Sequence, residues 1–180
     1  MSATETLRKD HIQIRRLEKI ITNCYKKLNA GQNIPFSDIE QITLIMSEFL
    51  DAIHYSREED AYFPCVASYD SLKKEIKAFM IEHEFGRRIA KSVLTHLQRW
   101  KEGQDARESV ARFLKTYAVY LDDHITKEER FFDTAEKEIL SQEEEKMMYE
   151  EFRAVTAITT KLDEMIKSID SLEEKTWMKE

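Results

Sequence analysis

Apolar residues recur at three- and four-residue spacing through long stretches of the chain. Leu7, Ile14, Ile21 and Leu28 do so near its start, and Phe79, Met80, Ala90, Val93, Leu97 and Trp100 in its middle. This is the period of an amphipathic helix, which turns one apolar stripe toward a core. Breakers divide the pattern into five pieces. The first is predicted from about Ser2, which has the form of a capping box with Glu5, to Asn29, where Gly31 and Pro35 stop it. The second starts at Ser37, with Glu40 three residues on, and ends at Pro64. The third runs from about Asp70 to Lys101 and ends near Gly103, and the fourth from about Asp105 into the 130s. The fifth begins near Ser141 with "SQEE" and continues to about Ile169. Four long helices joined by short loops predict an all-α, up-down-up-down four-helix bundle over residues 1–140. The C-terminal helix and tail, residues 141–180, are expected to pack outside it on the same domain.

Composition agrees with one helical domain. The chain has 180 residues, enough for a sizeable core, and only three glycines and two prolines, too few to punctuate an all-β or α/β fold. A formal net charge of −7 argues against a general nucleic-acid binder, which needs a basic face for phosphates. No apolar run approaches the roughly 20 residues of a transmembrane helix, and "MSATETLRKDH" lacks an apolar signal core. A cytoplasmic location is therefore expected. Cys24 and Cys65 show no framework spacing and read as free thiols. The acidic run "SQEEEKMMYEE" reads as the solvated face of the fifth helix, since its apolar residues still repeat helically.

A repeat changes the picture. "HYSREEDAYFP", residues 54–64, returns in altered form as "HITKEERFFD", residues 124–133. Upstream, His11 begins "HIQIRRL" and His83 begins "HEFGRRI", preceded by Asp10 and Glu82. His54 follows His11 by 43 residues, and His124 follows His83 by 41. The chain thus reads as two related helical hairpins, each offering one histidine from its first helix and HxxxEE from its second. Packed about a pseudo-twofold axis, they bring four imidazoles to the middle of one bundle.

At about 100° per residue, a side chain four positions on is displaced by only about 40°. His54 and Glu58, like His124 and Glu128, therefore address one centre, whereas Glu59 and Glu129 rotate away. An HxxxE pair alone is ordinarily a surface helix pair, and a lone histidine on an apolar face is ordinarily a hydrogen-bonded core residue. Two matched copies reverse that preference, because four histidines and two glutamates buried without a cation would be hard to satisfy. Imidazole and carboxylate suit iron, manganese or zinc. His11, His54, Glu58, His83, His124 and Glu128 then form a dinuclear centre with terminal imidazoles and bridging carboxylates. His96, rotated about 140° from His83, reads as a surface residue.

From about His11 to Phe132 the chain resembles the hemerythrin-like, or HHE cation-binding, domains, on the motifs "DHIQIRRL", "HYSREEDAYFP", "EHEFGRRI" and "HITKEERFF". The resemblance implies the same six ligands and a non-haem di-iron cofactor, with zinc or manganese possible in isolated protein. The oxygen carriers of that family place a second histidine one turn from the third-helix histidine. Here Phe79 and Arg87 stand at those distances from His83, and the last motif is HxxxE instead of the carriers' longer histidine-to-aspartate spacing. One imidazole fewer implies an open position for oxygen, peroxide or nitric oxide. Expected functions are sensing, detoxification or iron-centre chemistry with an external electron donor. The alternative is a non-enzymatic module whose metal or redox state alters contacts with a partner protein. Tyr117 and Gly86 are candidates for the ligand pocket. Arg15 and Arg87 are candidates for holding ligand carboxylates.

Overall fold

The structure is a computed structural model that describes residues 1–154 and 156–179, without the side chains of 156–159. It is all-helical, with no strand among the described residues. Helix α1 spans Ala3–Asn29. Ser2 Oγ accepts the Glu5 N–H at 3.0 Å, but the Glu5 carboxylate turns to Lys9, so only half of the expected capping box forms.

Helix α2, residues 36–67, departs furthest from expectation. It begins as an α-helix at Phe36 behind Pro35, not at Ser37, and carries no side-chain cap. It continues π-wound over Met46–Tyr55 and again over Glu58–Tyr62. Pro64 does not end it. The Phe63 N–H reaches back five residues to the Glu58 carbonyl, and Pro64 falls in the first turn of a fresh α segment, Phe63–Ala67. A missing N–H costs nothing there.

Helix α3 spans Lys73–Lys101, starting after Asp70 and Leu72, which lie in the left-handed region. Helix α4 spans Arg107–Thr134 and ends in a π turn, Ala135–Ile139. The expected fifth helix is divided into α5, Gln142–Arg153, and α6, Thr156–Glu173, followed by the short α7, Thr176–Lys179.

Neighbouring long helices run antiparallel. Thr4 of α1 bonds Tyr62 near the end of α2, and Lys101 at the end of α3 pairs with Glu40 near the start of α2. Phe79 early in α3 meets Phe131 late in α4, and Arg8 early in α1 pairs with Glu129 late in α4. Two apolar clusters result. The larger takes in Ile14 to Leu28, Phe49, Val93 and Leu114, and the smaller takes in Leu7, Tyr62, Phe79 and Phe132. A layer of buried polar residues separates them. His11, His54, His83 and His124 each lie along their helices between residues of the two clusters.

The C-terminal helices do more than cover the outside. Met165, Ile169, Leu172 and Trp177 join the larger cluster, and Trp177 Nε1 donates to buried Asp38 at 2.8 Å. Arg16 ties α1 to Asp170 and Glu173. Glu145 is an exception to the solvated acidic run: it is buried and accepts the Thr4 N–H at 2.9 Å. Its carboxylate thereby satisfies a free donor at the positive end of α1.

Candidate metal centre

The polar layer is a compact site. Among the described residues, atoms of His11, His54, Glu58 and Glu128 lie within 4.8 Å of one another, as do atoms of His83, His124 and Glu128. Glu128 belongs to both groups, and Glu58 of the first reaches to 3.3 Å from His83 Nε2 of the second. All six residues are at most 2% exposed. His54 and Glu58 share a face despite the π winding around them, with Nε2 and Oε1 3.5 Å apart. In the α-wound copy, His124 Nε2 stands 3.1 Å from Glu128 Oε1.

The orientation of each imidazole follows from its Nδ1 atom. Carboxylates only accept, so a bonded Nδ1 carries the proton and leaves Nε2 with a free lone pair. Nδ1 of His11 donates to Glu129 at 2.6 Å, that of His83 to Glu59 at 2.7 Å, and that of His124 to Glu82 at 2.8 Å. His54 Nδ1 faces Asp10 at 3.5 Å, beyond a good hydrogen bond, while Asp10 is held by Arg57 at 2.6 Å. The acids are anchored in turn. Arg87 takes both oxygens of Glu59 at 3.0 Å, Arg8 takes Glu129 at 2.9 Å, and Lys127 takes Glu82 at 2.8 Å.

On the inner side nothing is satisfied. All four Nε2 atoms and both oxygens of Glu58 and Glu128 are buried without a hydrogen-bond partner among the described residues. Leaving so many polar atoms unpaired is costly, so the cluster calls for a cation. The spacing fits one. Ligands about 2.1 Å from a shared ion stand roughly 3.0–3.4 Å apart in octahedral to tetrahedral arrangements. The nitrogen-to-oxygen approaches to Glu58 and Glu128 are 3.1–3.5 Å. His11, His54, Glu58 and Glu128 could hold one ion, and His83, His124, Glu128 and Glu58 a second. A metal would take the place of the second proton that the same carboxylates draw onto the rings in its absence. Burial alone would lower the imidazoles, but Glu128 and Glu129 push His11 up to about 9, and Glu128, Glu58 and Glu59 push His83 up to about 11. His124 is also raised, against burial, chiefly by Glu128. Burial opposes ionisation of Glu128, yet His124, His11 and His83 hold its carboxyl well below the usual range.

Several assignments from the sequence need correction. Glu59 and Glu129 do turn away from the inner side of their own helices, but they reach histidines on neighbouring helices. Arg87 braces one of these acids, Glu59, and also Asp51, so it holds none of the six candidate ligands. Arg15 instead bonds Glu18, Asp122 and Thr126, so it holds no ligand carboxylate. Gly86 does not open space for a small ligand: a Cβ there would meet the Tyr120 ring at 2.7 Å and its hydroxyl at 2.9 Å. Tyr117 is buried against Tyr120, and the phenols that stack on candidate ligands are others. Tyr55 lies on His83 with ring centroids 3.9 Å apart, and Tyr120 on His124 at 5.1 Å. His96 is half-buried on Phe113, away from the centre. The missed acids had a visible signal in the doubled glutamates of both HxxxEE stretches and in the acid before each upstream histidine. Of the stacked tyrosines, Tyr120 had one in its four-residue spacing to His124, and Tyr55, whose partner His83 lies on another helix, had none.

Cys24 and Cys65 are free thiols, and burial pushes both thiol pKa values up. No helix among the described residues is long and apolar enough to cross a membrane.

Paired imidazoles on four helices, joined by two buried carboxylates, define a class of helical metal-binding domains. The family model for the hemerythrin HHE cation-binding domain matches residues 2–135, and the chain belongs to that family. Comparisons with curated proteins and with solved structures gave no match.

Proposed function

We propose that this is a non-haem di-iron protein that binds or reacts with oxygen, peroxide or nitric oxide, in sensing, detoxification or iron-centre chemistry. The observation that carries this reading is the set of inward-facing Nε2 and carboxylate atoms with no hydrogen-bond partner among the described residues. In this reading His11, His54, Glu58 and Glu128 would hold one ion, and His83, His124, Glu128 and Glu58 the other. The architecture that goes with it is an up-down-up-down four-helix bundle over residues 1–140, with residues 141–180 packed on the same domain. The assignment carries with it a cytoplasmic location, an external electron donor, and no binding of nucleic acid or membrane.

Iron held here would supply a redox couple and an exchangeable coordination position. The chain's own residues set the terms. Phe79 and Arg87, one turn on either side of His83, provide no third imidazole for that end. Phe63 and Phe79 wall the His83 and His124 end, and Phe132 stacks on His11 at 5.3 Å, so bulk water is kept from the ligands. The Nδ1 bonds to Glu59, Glu82 and Glu129 fix the rings and raise their basicity toward a metal.

Ferrous iron added anaerobically should load to two ions per chain. His54→Ala and His124→Ala should each lower the content, and His96→Ala should leave it unchanged. One iron or none under iron-replete conditions overturns the reading. A second reading, a non-enzymatic module whose metal state alters contacts with a partner, draws support from one line of contacts. His11 stacks on Phe132, Phe132 meets Tyr62, and Tyr62 bonds Thr4, which is held by Glu145 of α5.

A further inference from the structure

The two halves of the chain repeat each other at the histidines and glutamates, and differ beside them. Tyr55 follows His54, and its counterpart after His124 is Ile125. Tyr120 stands four residues before His124, and its counterpart before His54 is Leu50. All four are buried. The two phenols thus stack on the His83 and His124 end, Tyr55 also meeting His54 at a tilt with centroids 5.8 Å apart, and their hydroxyls bond each other at 2.9 Å. Tyr55 stacks on His83 at an interplanar angle of 13°, and Tyr120 on His124 at 23°. Gly86 leaves the room that the Tyr120 phenol occupies.

The pair also connects the centre with two surface grooves. Tyr55 and Tyr117 line a cavity of about 790 Å³ between α2 and α3, whose walls include Leu44, Met46, Leu94 and Arg87. Tyr120 lines another of about 840 Å³ between α3 and α4, beside Phe85 and Val119. Two hydrogen-bonded phenols, each in face contact with a candidate ligand ring and each at the floor of a different groove, offer a path for an electron and a separate path for a proton.

We propose that Tyr55 and Tyr120 are a redox-active phenol pair, through which oxidising equivalents left at the centre by a peroxide are discharged to a one-electron donor of the hydroquinone class. The proposal rests on the di-iron reading above. In the first step Tyr55 gives one electron toward the centre across its contact with His83. The Tyr55 O–H bond breaks, its proton passes to the Tyr120 oxygen, and Tyr120 releases its own proton to water in the α3–α4 groove. Tyr55 is left as a neutral phenoxyl radical. In the second step a hydroquinone in the α2–α3 groove gives up one electron and one proton, the phenol is restored and a semiquinone leaves. Two such turns discharge both equivalents of one peroxide, and the two semiquinones dismutate to one quinone and one hydroquinone. The apolar walls of that groove suit an aromatic donor.

Rapid-freeze electron paramagnetic resonance of iron-loaded protein mixed with hydrogen peroxide tests this. A phenoxyl signal is expected in wild type, lost in Tyr55→Phe, altered in line shape in Tyr120→Phe through loss of its hydrogen bond, and unchanged in Tyr69→Phe. Added hydroquinone should quench it. A signal that survives Tyr55→Phe, or its absence in wild type that holds two irons, sinks the relay and leaves the metal centre standing. In a parallel arm, a photochemical oxidant removes one electron from iron-free protein. A radical on Tyr55 or Tyr120 there supports the pair even if iron loading fails, and a radical only on other tyrosines overturns it. The phenylalanine variants keep both rings, so a purely structural role would move neither readout.

Discussion

Glu59→Gln and Glu129→Gln probe the centre from outside its ligand set. Glutamine keeps a carbonyl oxygen for the imidazole Nδ1–H but removes the charge that strengthens it. Loss of such an orienting partner lowers metal affinity by about 10- to 100-fold, or about 1.4 to 2.7 kcal/mol. The structure ranks the two. The Glu59 side chain is 17% exposed, lies 2.7 Å from His83 and is clamped through both oxygens by Arg87. Glu129 is 36% exposed and shares one oxygen with Arg8. Solvent screens Glu129 more, so its variant belongs at the tenfold end and Glu59→Gln at the hundredfold end. Chelator competition with ferrous iron under anaerobic conditions measures both, and Arg15→Ala serves as the control that should bind as wild type. Unchanged affinity in both glutamine variants, or an equal loss in Arg15→Ala, would refute the orienting role.

Metal removal should lower the melting temperature, since an ion bound only to the native state at 100 times its Kd adds about 2.7 kcal/mol. In the metal-free protein His11 at about 9 and His83 at about 11 lie above their ordinary 6.5. Their stabilisation is complete below pH 6.5 and is lost as pH rises through those values, so thermal melts should weaken with alkalinity. Gly86→Ala gains about 1 kcal/mol of helix propensity but loses about 1–3 kcal/mol to overpacking, because Tyr120 is pinned by Tyr55 and His124. Denaturant unfolding should show a net loss, and a more stable variant would contradict the packing. Trp177→Phe removes one donor from buried Asp38, leaving Lys175 at 3.1 Å, and should cost about 1–3 kcal/mol in the same assay.

The long helices were legible because apolar spacing reports a period directly. Their ends were less so. Pro64 is a breaker only if the helix before it is α-wound, and the shift to π winding depends on packing that no local rule contains. The division after Arg153 was concealed by the helical apolar repeat. At the centre, the six residues named from the repeat are brought together because each copy combines helix spacing with matched separation along the chain. Glu59 and Glu129 were misread for the complementary reason. Helix geometry says which face of its own helix a residue occupies, and both acids act on a different helix. The same limit hid Tyr55, whose stacking partner His83 lies on another helix and whose bond to Tyr120 spans 65 residues, whereas Tyr120 stacks on His124 of its own helix, four residues on.

The orienting acids are distributed in a way that bears on how such a chain can be assembled. His54 and His124 face acids of their own hairpin, Asp10 and Glu82, whereas His11 and His83 lean on Glu129 and Glu59 of the opposite one. A single hairpin therefore lacks the partner for its own first histidine and can complete a centre only by meeting a second copy. The protein is organised as a self-pairing half written twice, with a covalent link replacing subunit association. Two halves in one chain need not be identical, and Tyr55 and Tyr120, whose counterparts in the repeat are Ile125 and Leu50, are a difference that an exact twofold assembly of identical hairpins could not carry.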